Sequence, residues 1–154
     1  MWAMKGKQPQ LPSKPGREKI GYYGAVNPGT GQLFTQSAYT FNGQTCATYL
    51  DAFMAQLVLE TTNRKIVMGC PNASWHKRAM RALMEKLPGK FVVLYLPPYS
   101  PDLNVIKRVW RLTRRICTHN KYFDQLDDMA ATLMGFFMNQ AEPNGTFRSL
   151  CAIN

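Results

Sequence analysis

The chain has 154 residues, which suits one domain, and its 19 Lys and Arg against nine Asp and Glu give a net charge of +10 at pH 7. A surface this cationic favours a polyanionic partner. With 45% hydrophobic, 12% aromatic and 18% charged residues, the composition excludes an intrinsically disordered chain and a highly charged coiled coil.

Residues 1–19 hold Pro9, Pro12, Pro15, Gly6 and Gly16, and five cations opposed by Glu18 alone, so a basic extended arm is expected. No apolar leader core follows Met1, and no secretory signal is expected. The run from Ile20 to Val26 and the run from Gln32 to Phe41 flank Asn27-Pro28-Gly29-Thr30-Gly31, which predicts a hairpin. Tyr49, Leu50, Phe53, Met54 and Leu57 then repeat with helical spacing, predicting a helix from about Thr45 to Glu60.

Lys65 to Cys70 is short and apolar and reads as a buried strand. The next helix carries Ala79, Met80, Leu83, Met84 and Leu87 on one face and stops at Pro88-Gly89. Phe91 to Leu96 reads as the clearest buried strand, closed by Pro97-Pro98. Asn104 can cap a helix to about Cys117 whose packing face is Ile106, Val109, Trp110, Thr113 and Ile116. Asp124 can cap another to about Asn139, and residues 143–154 read as a loop-like tail. A strand, helix and strand over residues 65–96 imply a parallel pair, hence a mixed sheet and an α/β class. Its domain limits are set at 20–142.

The apolar uncharged runs at 91–99 and 129–138 are each about half of the roughly 20 residues that cross a bilayer, so no membrane association is expected. Cys46, Cys70, Cys117 and Cys151 are widely scattered and form no Cys-x-x-Cys pair, and they read as reduced thiols of a cytoplasmic protein. With His76 and His119 they lack the paired spacing of a zinc site.

In a parallel pair, ligands gather where the strands end. The segment Leu96-Pro97-Pro98-Tyr99-Ser100-Pro101-Asp102-Leu103-Asn104-Val105-Ile106-Lys107-Arg108-Val109-Trp110 resembles the "LPPYSPxLNPIExxW" signature of DDE-type transposases in the insertion-sequence branch of the Tc/mariner superfamily. Pro71-Asn72-Ala73-Ser74-Trp75-His76 resembles the family's "DNAxxH". Trp2 to Pro9 and Tyr23-Gly24-Ala25-Val26-Asn27 match further motifs in the expected order.

The resemblance implies a ribonuclease H-like fold in which three carboxylates hold two Mg²⁺ or Mn²⁺ ions that cut DNA and join the freed end to a target. Two hard cations a few Å apart need oxygen ligands, chiefly carboxylates, to offset their charge. The family's first Asp lies on a strand before Trp2, and no acid precedes Glu18, so this central strand and its ligand are expected to be missing. The second Asp falls at Pro71, which has no side-chain oxygen, and the Glu falls at Lys107, a cation. Asn72, His76 and Asn104 remain as motif neighbours.

Asp102, Asp51 and Glu60 read as solvated acids outside any metal set. No metal and no cofactor are therefore expected, and the nuclease activity is expected to be absent. Lys77, Arg78, Arg81, Lys107, Arg108, Arg111, Arg114 and Arg115 are expected to contact DNA phosphates without sequence preference. Pairing with an intact transposase, or with a second copy, is the alternative role, and a non-functional remnant is the third.

Overall fold

The computed structural model describes residues 19–60, 64–72, 74–98 and 100–152; residues 1–18 of the basic arm and Tyr99 lie outside them. Strand β1 (Gly21–Val26) pairs antiparallel with β2 (Leu33–Ala38), from Gly21 opposite Ala38 to Val26 opposite Leu33. Asn27 builds the turn, its Oδ1 accepting the Gly29 N–H at 2.9 Å and its carbonyl accepting the Gly31 N–H at 2.8 Å. Alternation along the strands gives the hairpin two apolar faces. Tyr23, Phe34 and Ala38 point to one cluster, and Tyr22, Val26 and Leu33 to another.

Helix α1 (Gly43–Glu60) begins with a reciprocal cap, in which Asn42 Oδ1 accepts the Thr45 N–H at 2.9 Å and Thr45 Oγ1 accepts the Asn42 N–H at 3.1 Å. Its Cys46, Tyr49, Leu50 and Met54 are buried. Strand β3 (Ile66–Cys70), helix α2 (Ser74–Lys86) and strand β4 (Phe91–Tyr95) form the expected crossover, with β3 and β4 parallel from Ile66 opposite Phe91 to Cys70 opposite Tyr95. Tyr23, the α1 face, Cys70, the α2 face and Phe91 share one hydrophobic cluster, so α1 and α2 form a single layer beneath both strand pairs.

The strands do not join into one mixed sheet. They form two separate two-stranded sheets, β1 with β2 and β3 with β4, because no described strand bridges β1 and β3. The expectation of a buried β4 is also corrected. Phe91 is buried, but Val92, Leu94 and Tyr95 are exposed, as is Val67 of β3, since α1 and α2 cover one face of this pair and the remaining helices pack elsewhere.

Those helices cover the second face of the hairpin. A 3-10 turn (Pro101–Leu103) leads to α3 (Ile106–Thr113), which runs directly into a π-helical turn (Arg114–Thr118). Asn104 does not cap α3 as expected. Val105 already has helical angles and no side chain caps the start; the Asn104 carbonyl instead accepts the Lys107 N–H at 2.9 Å. The π turn is closed by the His119 N–H on the Arg114 carbonyl at 2.8 Å. By widening the turn it buries Cys117 and leaves Ile116 at 46% exposure, reversing the expected packing position.

Helix α4 (Leu126–Met138) opens from an extended Gln125 rather than from an Asp124 cap. Residues 145–151, expected as loop, form α5 (Gly145–Cys151), capped by Asn144 Oδ1 accepting the Phe147 N–H at 2.8 Å. Phe147 and Cys151 are fully buried with Val109, Leu133 and Phe137 in the second cluster. All four cysteines are buried free thiols. Among the described residues, no helix is long and apolar enough to cross a membrane.

Candidate metal and nucleic-acid site

The parallel register brings the carboxyl ends of β3 and β4 side by side, and the Leu96 N–H donates to the Cys70 carbonyl at 2.9 Å. Pro71 and Asn72 leave β3 exposed to solvent. His76, half-buried in the first turn of α2, hydrogen-bonds the Pro71 backbone. Proline has no N–H, so the Pro71 carbonyl is the backbone group that favours the protonated imidazole. Burial lowers the His76 pKa, and that hydrogen bond partly opposes the shift.

Lys77 reaches across to β4, with Nζ 5.8 Å from the centre of the Tyr95 ring. Arg78 and Arg81 follow on the same helix and are exposed. Lys107 lies exposed in the first turn of α3. Behind it Trp110 packs edge-on against Phe137 at 6.0 Å and lies over Gly24, where an added Cβ would stand 2.5 Å from the indole. This contact fixes α3 against β1.

Arg108 is occupied differently from its neighbours. One guanidinium nitrogen donates to the carbonyls of Leu150 at 3.2 Å and Ala152 at 3.0 Å, and another donates to that of Asp102 at 3.4 Å. It clasps the end of α5 and the 3-10 turn to α3. Arg111, Arg114 and Arg115 are exposed. With Lys107 they stand at spacings of four, seven and eight residues, forming one stripe about 12 Å long at 1.5 Å per residue. Among the described residues, no acid pairs with them.

The donor set does not fit a pair of divalent ions. Position 71 offers no side-chain oxygen, position 107 offers a cation, and among the described residues no group of three or more His, Cys, Asp or Glu is arranged to hold a metal. A positive charge about 4 Å from a metal would cost several kcal/mol even at an effective dielectric of ~20. Asp51 is engaged by Lys86 at 2.8 Å on the surface, Asp102 is exposed, and the Glu60 side chain lies outside the described residues.

Sequence reasoning missed two residues. Asn144 caps α5 and also donates from Nδ2 to the Gly31 carbonyl at 3.0 Å; an Asn followed by apolar residues at 147, 150 and 151 is the signal that was available. Tyr49 is buried with its hydroxyl unpartnered, a fact no local pattern announces.

A model of the DDE superfamily endonuclease matches residues 1–130. The chain belongs to this family. The chain is also 27% identical, over 120 residues, to the insertion element IS630 uncharacterized 39 kDa protein of Shigella sonnei, covering 77% of this chain and 34% of that one. Uncharacterized protein y4pE/y4sA of Sinorhizobium fredii (strain NBRC 101917 / NGR234) is 33% identical over 57 residues, covering 37% of this chain and 39% of the relative. The chain thus spans a little over a third of the length of these relatives. Membership of the DDE family, with an insertion-element relative, agrees with the resemblance drawn from residues 71–76 and 96–110.

Proposed function

We propose that this DDE-family domain binds DNA phosphates without sequence preference and does not cut DNA by metal-assisted chemistry. The observation that carries the reading is the exposed stripe of Lys107, Arg111, Arg114 and Arg115, set on a helix that Trp110 and Arg108 hold against β1, the 3-10 turn and α5. A backbone-directed cation row reads charge rather than bases. Lys77, Arg78 and Arg81 on α2 add to the positive field. Arg108 serves as the clasp of this surface, its donors being spent on carbonyls.

The absence of cutting follows from residue chemistry. Pro71 and Lys107 stand where the family places two anionic ligands, and neither can share a divalent cation. The framework is ribonuclease H-like in this reading, and no described strand joins the β1–β2 pair to the β3–β4 pair. Two facts support that arrangement: the sheets are separate, and one apolar cluster underlies both.

Fluorescence anisotropy on two unrelated duplexes tests the binding. If the stripe makes four phosphate contacts, log K falls against log salt with a slope of about −3.6 for both sequences, and Arg111→Glu with Arg115→Glu reduces its magnitude by about 2. A slope near zero, or one untouched by the double substitution, contradicts the reading.

A further inference from the structure

The hairpin ladder ends at Gly21 opposite Ala38. Beyond that pair the two chains part, Lys19 and Ile20 on one side and Tyr39, Thr40 and Phe41 on the other, and with Gly21 they line a cleft of about 510 Å³. A cleft of this volume is large enough for one nucleotide. Tyr39 is 68% exposed and Phe41 47%. Single exposed apolar side chains are ordinary, but here two aromatic rings line the same cleft and leave in water a surface that the fold does not cover.

The walls are set in advance. The Phe41 ring packs on Tyr23 at 4.8 Å between centres, tilted by 57°, and lies over Gly21, where any Cβ would overlap it. Glycine at this position clears the space for the ring. Between the two aromatic residues, the Thr40 carbonyl accepts the Thr45 hydroxyl at 3.0 Å, which ties the wall to the first turn of α1. Preformed walls spare a ligand the cost of ordering them.

Charge narrows the choice of ligand. Lys19 is exposed and is the one charged residue lining the cleft, on a chain of net charge +10. Ring faces beside a cation suit a flat aromatic group that carries an anion. Sites for unpaired nucleic acid are built in this way, from aromatic side chains for the bases and cations for the backbone.

We propose that this cleft takes one unpaired nucleotide of a DNA strand, its base stacked against the Tyr39 and Phe41 rings and its phosphate beside Lys19. A base-paired strand hides its ring faces in its own stack, so the cleft distinguishes single strands from duplex, where the cation stripe on α3 reads charge alone. The inference deepens the DNA-binding reading and rests on it.

The test uses the full chain and three fluorescent probes of equal length at one salt concentration: a thymidine strand, a strand whose sugars carry no bases, and a blunt duplex. Both single strands present the same phosphates, so the difference between them reads the base alone. The thymidine strand is expected to bind about fivefold tighter or more, the lower end of what one base stacked on an aromatic side chain supplies. Tyr39→Ala should cut that ratio about threefold or more and leave duplex binding unchanged, while Tyr39→Phe keeps the ratio. Tyr39 is exposed enough that neither change threatens the fold. Iododeoxyuridine placed in the strand should crosslink under near-ultraviolet light to Tyr39 or Phe41.

Equal affinity for the two single strands overturns the proposal. If Tyr39 also resists nitration in the free chain, the cleft belongs to residues 1–18 or to a second copy. A ratio that Tyr39→Ala leaves intact, or a crosslink confined to other residues, overturns it as well. All of these leave the cation stripe standing, because the duplex and the baseless strand report it separately. No binding of any probe removes both readings.

Discussion

Tyr49, Gly24 and His76 show how much single side chains here depend on what the fold brings to them. The Tyr49 hydroxyl gains nothing from its burial, so Tyr49→Phe should stabilise the chain by about 1 kcal/mol, a rise of roughly 3 °C in Tm by calorimetry for a chain of this size. At Gly24 the opposite holds. A methyl group would press into the Trp110 indole, and Gly24→Ala should cost about 1–3 kcal/mol in urea unfolding. His76 is favoured as the neutral imidazole by burial, so the unfolded chain takes up a proton more readily. Stability is therefore complete above the ordinary histidine range and falls as pH drops through it. Cys70 gives the mirror case, its thiol raised from 9.0 to about 11 chiefly by burial. Its contribution is complete below about pH 9 and declines as pH rises towards 11; over that interval the wild type should lose more stability than Cys70→Ala. Of these residues, Pro71 and Lys107 were legible in the sequence because a long motif fixes their place. Arg108 and Arg111 look alike in the sequence, and only the approach of the Leu150 and Ala152 carbonyls tells them apart.

Among the elements, those with strong local patterns were the readable ones. The hairpin, α1, and the parallel pair with its crossover helix appear where periodicity and turn residues put them. The misreadings share a cause in tertiary contact. Helix α5 has seven residues, too few to form alone, and its Pro143-Asn144-Gly145 approach has loop composition. It is held by Phe147 and Cys151 in the core, by the Asn144 cap and by the Arg108 clasp. Asn144→Ala removes the cap and the bond to Gly31 together, and should cost about 1–2 kcal/mol. Gly31→Ala should cost more, because its φ of +80° is left-handed and its Cβ would meet the Asn144 carbonyl. Comparing both variants in one urea series checks the order. The π turn was equally hidden, since nothing in Arg114–Thr118 distinguishes it from a continuing α-helix until Cys117 finds its place beside the second cluster.

At the scale of the whole molecule, charge and family were readable while the division of the sheet was not. A net charge of +10 and the motif at 96–110 pointed to a nucleic-acid partner and to the DDE endonucleases, whose model matches residues 1–130. Strand pairing, by contrast, depends on neighbours distant in sequence, and the four strands read as strands without revealing that, among the described residues, they form two separate pairs. The same arrangement leaves Val67, Val92 and Leu94 exposed on a parallel pair, which ordinarily is covered on both faces. With Pro71 and Lys107 where the family motif has anionic oxygens, we propose that this domain holds DNA without cleaving it. The most direct measurement is a nicking assay on supercoiled plasmid with purified chain and Mg²⁺ or Mn²⁺, at a protein concentration where anisotropy shows the DNA bound. The plasmid is expected to stay supercoiled with either metal; metal-dependent conversion to the nicked form, abolished by a chelator and tracking the protein through purification, would contradict this.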